Sequence, residues 1–208
     1  MSNFLIGEMD NFPQIKFLKK FLIGHPGIIA GGCFKSIFTG KKVHDVDMFF
    51  RSIVDYTKAI MYFEEHKDEY SKSYNNLNVQ SFIHNKSGIR IECIKKIFGT
   101  PEEIIGQFDF TITKFAYEIQ AEPIGEDLFD YSDNIIYHPQ FFEHITMKRL
   151  VVDDLMPFPV STFNRTYKYA KDGFFPCRET KMKIITAIHD LSAILDKDLS
   201  KAMYEGLD

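Results

Sequence analysis

The 208-residue sequence has no tryptophan, only three cysteines and no long hydrophobic run. No stretch approaches the roughly 20 apolar residues that span a bilayer, so we expect no membrane partner. Cys33, Cys93 and Cys177 are odd in number and widely spaced, which argues against a disulfide framework and a zinc site. The N-terminus also lacks the basic and apolar regions of an export signal. These absences favour a cytoplasmic protein in a reducing compartment.

A strong net charge is missing too. Lysine and arginine total 25 and aspartate and glutamate total 29, so bulk charge cannot hold nucleic acid and any phosphate binding has to be local. Proline and glycine number only 8 and 12, with 45% hydrophobic and 26% charged residues, which excludes collagen-like and largely disordered chains. What is abundant is phenylalanine, 21 residues, which we interpret as core filler. The length allows one or two domains.

Hydrophobic periodicity divides the chain into two parts. Residues 1–120 carry strand-like and helical runs, and we expect them to form an α/β (α+β) head, a small mixed sheet flanked by helices. Residues 121–208 are predicted to be a helical C-terminal region. The predicted strands are 27–30, 43–50, 77–83, 89–94 and 108–118. The predicted helices are 13–23, 53–66, 139–150, 160–171 and 179–195, with 71–76 as a surface loop.

The densest chemical signal is a diglycine followed by paired aspartates. Gly31 and Gly32 separate a short buried strand from a helix start, so backbone N–H groups there can approach phosphate oxygens closely. Asp45 and Asp47 share one face of the next strand and present two hard oxygen donors suited to Mg²⁺ or Mn²⁺. The alternative interpretation is a pair of solvated acids on an edge strand.

This order resembles the DNA polymerase beta superfamily of nucleotidyltransferases. The fuller motif set is similar to the head domains of CCA-adding enzymes and poly(A) polymerases. The matching stretches are GGCFKS, DVD, IRIECI, QFDFTITKFAY and RTYKYA. The resemblance implies a nucleotidyltransferase head and covers residues 27–117 well and 161–173 thinly.

Residue by residue, the resemblance implies three groups of site residues. The metal ligands would be Asp45, Asp47 and Glu92. We select Glu92 as the third carboxylate because apolar residues flank it, and the alternative is an exposed glutamate on a hairpin. The nucleotide-binding residues would be the phosphate cradle Gly31, Gly32 and Lys35, the sugar-side contact Asp109, and the triphosphate contacts Arg165 and Lys168.

The sequence also departs from that family. Lys35 and Ser36 stand where the family has Arg and Asp, and Gln107 and Phe108 replace an arginine pair. A base-reading E-D-x-x-R motif is not found, so selectivity for C and then A is not expected.

Two functions are therefore predicted. The first is a metal-dependent nucleotidyltransferase that moves an NMP from an NTP, ATP among them, to an acceptor hydroxyl and releases pyrophosphate. An RNA 3′ end is the favoured acceptor, with a protein side chain or a small molecule as alternatives. The second is a catalytically weakened nucleotide-binding regulatory module, such as part of a defence or toxin–antitoxin system, because a fold does not fix its activity.

Overall fold

A computed structural model describes residues 4–123, 129–153 and 156–191. The chain forms two compact units, passing from unit 1 to unit 2 after Gly106, back after Ile112 and again after Pro139. The division predicted after residue 120 therefore differs from these boundaries and lies inside unit 1. The reason is a further strand beyond residue 120, which continues the sheet of the head.

Unit 1 is built on one mixed sheet, which has eight strands within the described residues. Their order is β1-β8-β7-β2-β3-β6-β5-β4, and β3 and β6 run parallel while the other neighbouring pairs are antiparallel. The strands are Leu5–Gly7 (β1), Ile28–Ala30 (β2), Asp45–Phe50 (β3), Tyr70–Asn75 (β4), Val79–His84 (β5), Arg90–Phe98 (β6), Phe115–Pro123 (β7) and Phe129–Tyr137 (β8). The helices are Gly32–Phe38 (α1), Ile53–Glu65 (α2) and Pro101–Gly106 (α3). The predicted α+β class is confirmed.

The sheet is larger than the small one predicted, because three strands were missed. Residues 71–76 were predicted to be a loop, and that prediction is wrong: β4 pairs with β5 as the edge of the sheet. Five of its six residues are exposed, so its sequence lacks the hydrophobic alternation of a half-buried strand. β1 and β8 pair with each other at the other edge.

Two further predictions about local structure need correction. The predicted strand 108–118 begins only at Phe115, because Thr111–Thr113 forms a 3₁₀ turn. The predicted helix 13–23 is a 3₁₀ helix, Pro13–Phe21. Its buried residues Ile15, Leu18 and Phe21 are three positions apart, which places them on one face of a helix with three residues per turn.

Unit 2 contains three helices among its described residues. They are Phe141–Thr146 (α4), Pro159–Ala170 (α5) and Arg178–Leu191 (α6), and the short strands Arg149–Leu150 (β9) and Phe175–Pro176 (β10) pair in parallel. The helix predicted over 139–150 is thus shorter, Phe141–Thr146, and the last two residues of the predicted range form the strand β9. Residues 192–195 of the predicted last helix lie outside the described residues. No helix in the described ranges has the length and apolar character that crossing a membrane requires.

Aromatic rings fill much of the core of unit 1, as the abundance of phenylalanine predicts. Phe115 stacks on Phe34 with ring centroids 4.4 Å apart and on Tyr137 at 5.5 Å. Phe12 meets Phe115 edge-on at 5.7 Å. All four rings pack against β7 or its neighbours, so helix α1 and the sheet share one aromatic cluster.

A partly buried ion pair joins the loop after β3 to the strand β7. Arg51 donates two hydrogen bonds to Glu118, Nη2 to Oε1 at 2.6 Å and Nε to Oε2 at 3.2 Å. Gln120 and Asn134 also donate to Oε1 of Glu118, at 2.9 and 2.8 Å. The Glu118 side chain is 4% exposed, so these donors take the place of water around its oxygens.

We expect Arg51→Met to lower the free energy of unfolding by about 2 kcal/mol, because it leaves a buried carboxylate without its cation while two amide donors remain. Lys72 forms an exposed pair with Glu64, and Lys72→Met is the matched control, with an expected loss below about 1 kcal/mol. Urea unfolding followed by circular dichroism measures both. Equal losses in the two variants would contradict the prediction.

Candidate functional site

The strand register brings the predicted acids of unit 1 into one row across the sheet. Asp47 of β3 pairs with Ala30 of β2 on one side and with Glu92 of β6 on the other. Residues paired in register on adjacent strands point their side chains to the same face, so Asp47 and Glu92 are neighbours on one face. Asp45 lies two residues earlier on β3 and shares that face. We call Asp45, Asp47 and Glu92 the acid row.

The opposite face of the same two strands is core, and this explains the register. Val46 pairs with Ile91 and Met48 pairs with Cys93, and all four side chains are fully buried. A shift of one residue would expose these side chains and bury the acids. The core therefore places the acid row.

Two residues that the sequence did not single out contact the acid row. Arg90 Nη1 donates to Asp45 Oδ1 at 3.1 Å and lies 3.9 Å from Glu92 Oε1. Tyr74 on the edge strand β4 donates its hydroxyl to Glu92 Oε1 at 2.7 Å. Burial, followed by this hydrogen bond, raises the pKa of Tyr74 to about 12, so the phenol stays protonated at neutral pH.

A sequence signal existed for one of these two residues. Arg90 lies two positions before Glu92 on a strand, and the period of two predicts a shared face. No sequence signal pointed to Tyr74, because it lies on β4, whose polar sequence predicted a loop.

The diglycine begins directly after Ala30, so it lies at the end of β2 that adjoins Asp47. Gly31 has φ +97° and ψ −146°, a backbone conformation that is essentially restricted to glycine. A Cβ built on Gly32 would meet no atom within 4 Å among the described residues, so Gly32 borders open space. Gly32 therefore offers an uncrowded backbone position beside the acid row, whereas the N–H of the buried Gly31 donates to the carbonyl oxygen of Phe115 at 3.1 Å.

The remaining residues of α1 near this turn are buried. Lys35 is 5% exposed and is engaged in an interaction within the protein, as a buried ammonium requires. Burial, followed by the negative charge of Asp47, raises the pKa of the Cys33 thiol. Cys33 is therefore a protonated small residue of the core, which is consistent with a spacer and not with a nucleophile.

Three predicted nucleotide-binding residues belong to unit 2, where two of them contact each other. Arg165 Nη1 donates to Asp109 Oδ2 at 2.8 Å, and Thr162 Oγ1 donates to the same oxygen at 2.9 Å. Asp109 is 6% exposed, so this carboxylate is a buried member of a network. Lys168 is exposed on α5. Thr162 was not singled out, although it precedes Arg165 by one helical turn and so shares its face.

The donor chemistry of the acid row suits a hard divalent cation, since carboxylate oxygens are the ligands that Mg²⁺ and Mn²⁺ take. Across 4–123, 129–153 and 156–191, however, no three His, Cys, Asp or Glu side chains are gathered as a metal site. The ion pair of Arg90 with Asp45 offsets one of the three negative charges of the row.

Comparison with known proteins gives the family of this chain. A model described as "Gabija anti-defense 2 family protein" matches residues 8–148, well over half of the sequence. The chain belongs to the Gabija anti-defense 2 family. The curated protein "Gabija anti-defense 2" of Bacillus phage SPbetaL7 is 26% identical over 179 residues, which is 85% of this chain but 40% of that protein. This family member thus spans two fifths of the curated relative.

Solved structures similar to this Gabija anti-defense 2 family member include a CCA-adding enzyme and a tRNA nucleotidyltransferase. A CCA-adding enzyme with CTP has a TM-score of 0.62 at 14% identity, covering 95% of this chain and 49% of that one. A tRNA nucleotidyltransferase with primer tRNA and an ATP analogue has a TM-score of 0.55 at 18% identity, covering 91% and 54%. At such identities the likeness shows the fold, which is of the nucleotidyltransferase type. The resemblance predicted from the motifs holds at that level, whereas the sequence family is a different one.

The two glycines are expected to respond differently to substitution. Gly31→Ala forces a side chain into a glycine-only conformation and should cost about 2 kcal/mol of unfolding free energy. Gly32→Ala adds a methyl group in open space and should change it by less than about 0.5 kcal/mol. Urea unfolding measures both, and a destabilised Gly32→Ala would show that this turn is tightly packed.

Asp109→Asn is expected to destabilise unit 2 by about 1–2 kcal/mol, because the amide cannot pair with Arg165 as a charge. Lys168→Gln, an exposed change on the same helix as Arg165, is the control and should cost less than about 0.5 kcal/mol. Thermal and urea unfolding measure the difference. An Asp109→Asn protein as stable as the control would mean that the network contributes no net stability.

Proposed function

We propose that this Gabija anti-defense 2 family member is a metal-dependent nucleotidyltransferase. It acts against the Gabija defence by transferring an NMP from an NTP to an acceptor hydroxyl, with release of pyrophosphate. The acceptor is an RNA 3′ end in the first instance, with a protein side chain or a small molecule as the other acceptors. The observation that carries the proposal is the acid row, set by register beside a glycine turn with open space in front of it.

Each group of residues has a chemical role in this proposal. Asp45, Asp47 and Glu92 would hold Mg²⁺, which supplies charge neutralisation to phosphates and lowers the pKa of an acceptor hydroxyl. The backbone N–H group of Gly32 would donate to a phosphate oxygen, since Gly32 has no side chain to obstruct it. The Gly31 N–H donates to the carbonyl oxygen of Phe115 at 3.1 Å, so the role of Gly31 in the predicted cradle is to form the turn. Lys35, Asp109, Arg165 and Lys168 remain predicted nucleotide contacts on the strength of their motifs.

The similar solved structures support the substrate class, because one contains CTP and another contains a primer tRNA and an ATP analogue. Their folds match this chain, and a matching fold leaves the activity open. Whether the acceptor is RNA is therefore decided by experiment.

A second function is favoured by two observations. The family is named for action against a defence system, and Arg90 pairs with an acid of the row. This sequence also lacks the arginines that CCA-adding enzymes carry at the positions of Lys35, Gln107 and Phe108. Together, these features support a regulatory module that binds nucleotide, interferes with the defence by binding, and does not catalyse nucleotidyl transfer.

The test uses purified protein, cell extract, Mg²⁺ or Mn²⁺ and the four α-³²P-labelled NTPs in turn. We expect label in a product that RNase or protease removes, and a loss of about 100-fold or more in Asp45→Asn and Asp47→Asn, because each removes a negative metal ligand. Asp68→Asn is the matched control, since it removes an exposed carboxylate from a turn outside the acid row.

Label that persists unchanged in both acid-row variants overturns the proposal. Nucleotide binding without label or pyrophosphate release selects the regulatory module instead.

A further inference from the structure

Arg90 occupies an unusual position, because it places a permanent positive charge within a row of three carboxylates. Its Nη1 reaches Asp45 Oδ1 at 3.1 Å and lies 3.9 Å from Glu92 Oε1. Arg90 is on β6, two residues from Glu92, so the strand itself presents the guanidinium on the face of the acids. The strand register therefore places this cation in the row.

The interaction of Arg90 with the acids is weak enough to be displaced. Its Nε is buried and has no hydrogen-bond partner among the described residues. The side chains of Arg90 and Asp45 are 41% and 52% exposed, and ion pairs as exposed as this one are weak. A doubly charged ion that is coordinated by several carboxylates can displace such a contact.

Tyr74 supports the same arrangement from the edge strand. It donates to Glu92 Oε1 at 2.7 Å, and its ring centroid lies 5.9 Å from the guanidinium carbon of Arg90. Ser81 on the intervening strand pairs with Glu92 and is small and buried. Tyr74 thus ties one oxygen of Glu92 next to the cation and gives the guanidinium an aromatic neighbour.

We propose that Arg90 is an internal counter-cation of the acid row, which competes with divalent metal for Asp45 and Glu92 and keeps the affinity for free metal low. This inference rests on the proposed function, since it takes the acid row as the metal site. It makes Arg90 a positioning residue that holds the carboxylates together until a divalent ion replaces it. Metal binding then exchanges the Arg90 guanidinium for the divalent ion, and the released guanidinium can bind another anion.

The test measures Mn²⁺ alone, without nucleotide, by the electron paramagnetic resonance signal of the free ion. We expect Arg90→Gln to bind Mn²⁺ about fivefold more tightly than the unmodified protein, because a competing charge is removed. Lys96→Gln is the matched control: it removes one positive charge from an exposed position on the same strand, four residues or about 13 Å beyond Glu92, which exceeds the screening length of about 8 Å at physiological salt. Its affinity should be unchanged.

Thermal unfolding gives a second readout that does not depend on activity. Without metal, Arg90→Gln should melt at a lower temperature, because Asp45 and Glu92 lose their counter-charge. Added Mg²⁺ should then raise its melting temperature more than it raises that of the unmodified protein. If Arg90→Gln does not fold, Arg90→Met, which keeps an unbranched stem beside the Tyr74 ring, carries the same expectations.

The outcomes separate this inference from the function on which it rests. Mn²⁺ binding that Asp45→Asn weakens and Arg90→Gln leaves unchanged or weakens overturns the inference and leaves the metal site in place. If neither the unmodified protein nor Arg90→Gln binds Mn²⁺, the inference is overturned, because removing the competing charge then gains no metal affinity, while the proposed function is decided by the NTP-labelling test. Tighter binding in Arg90→Gln and in Lys96→Gln alike also overturns the inference, because the effect would then be one of net charge.

Discussion

The parallel pairing of β3 with β6 is the constraint on which the candidate site depends. One face of this pair is a closed hydrophobic layer, in which Val46 lies beside Ile91 and Met48 beside Cys93. Because side chains alternate along a strand, burying that layer turns every second residue outward. The acids are among those residues, so the free energy that assembles the core also positions the carboxylates. The apolar layer thus sets their placement, and Arg90 offsets part of the electrostatic repulsion between them.

The glycine turn depends on the same strands. β2 lies between β7 and β3, and its last residue, Ala30, pairs with Asp47 on one side and Ala116 on the other. The chain must leave the sheet at once to enter α1, and the conformation of Gly31 makes that departure possible. Stacking of Phe34 on Phe115 then holds the first turn of α1 against β7. The glycine turn and the acids are thus neighbours because the turn follows Ala30, and Ala30 pairs with Asp47.

Much of this could be predicted from the sequence because it depends on local patterns. Alternation over residues 45–50 and 89–94 gives two faces, and the diglycine marks the strand-to-helix turn. The edge strand β4 could not be predicted, because it is held by backbone pairing with β5 and buries only Tyr70. Tyr74 of this strand could not be predicted as a site residue either, because its contact with Glu92 crosses the intervening strand β5 and follows no regular sequence spacing. The pairing of Asp109 with Arg165 also joins positions 56 residues apart. Motif comparison gave both residues a ligand role and could not indicate that they contact each other.

The exposed polar character of β4 has a consequence for how the sheet behaves in solution. A free edge displays unpaired backbone groups that invite another strand, and flat hydrophobic edges are the usual route to unwanted stacking of chains. β4 carries lysine, serine and asparagine outward, and its pairing with β5 is irregular between Lys72 and Asn75. Hydrated side chains and a broken ladder make a poor template for a foreign strand. Water and small solutes therefore have access to this edge of the sheet, on which Tyr74, the hydrogen-bond donor to Glu92, lies.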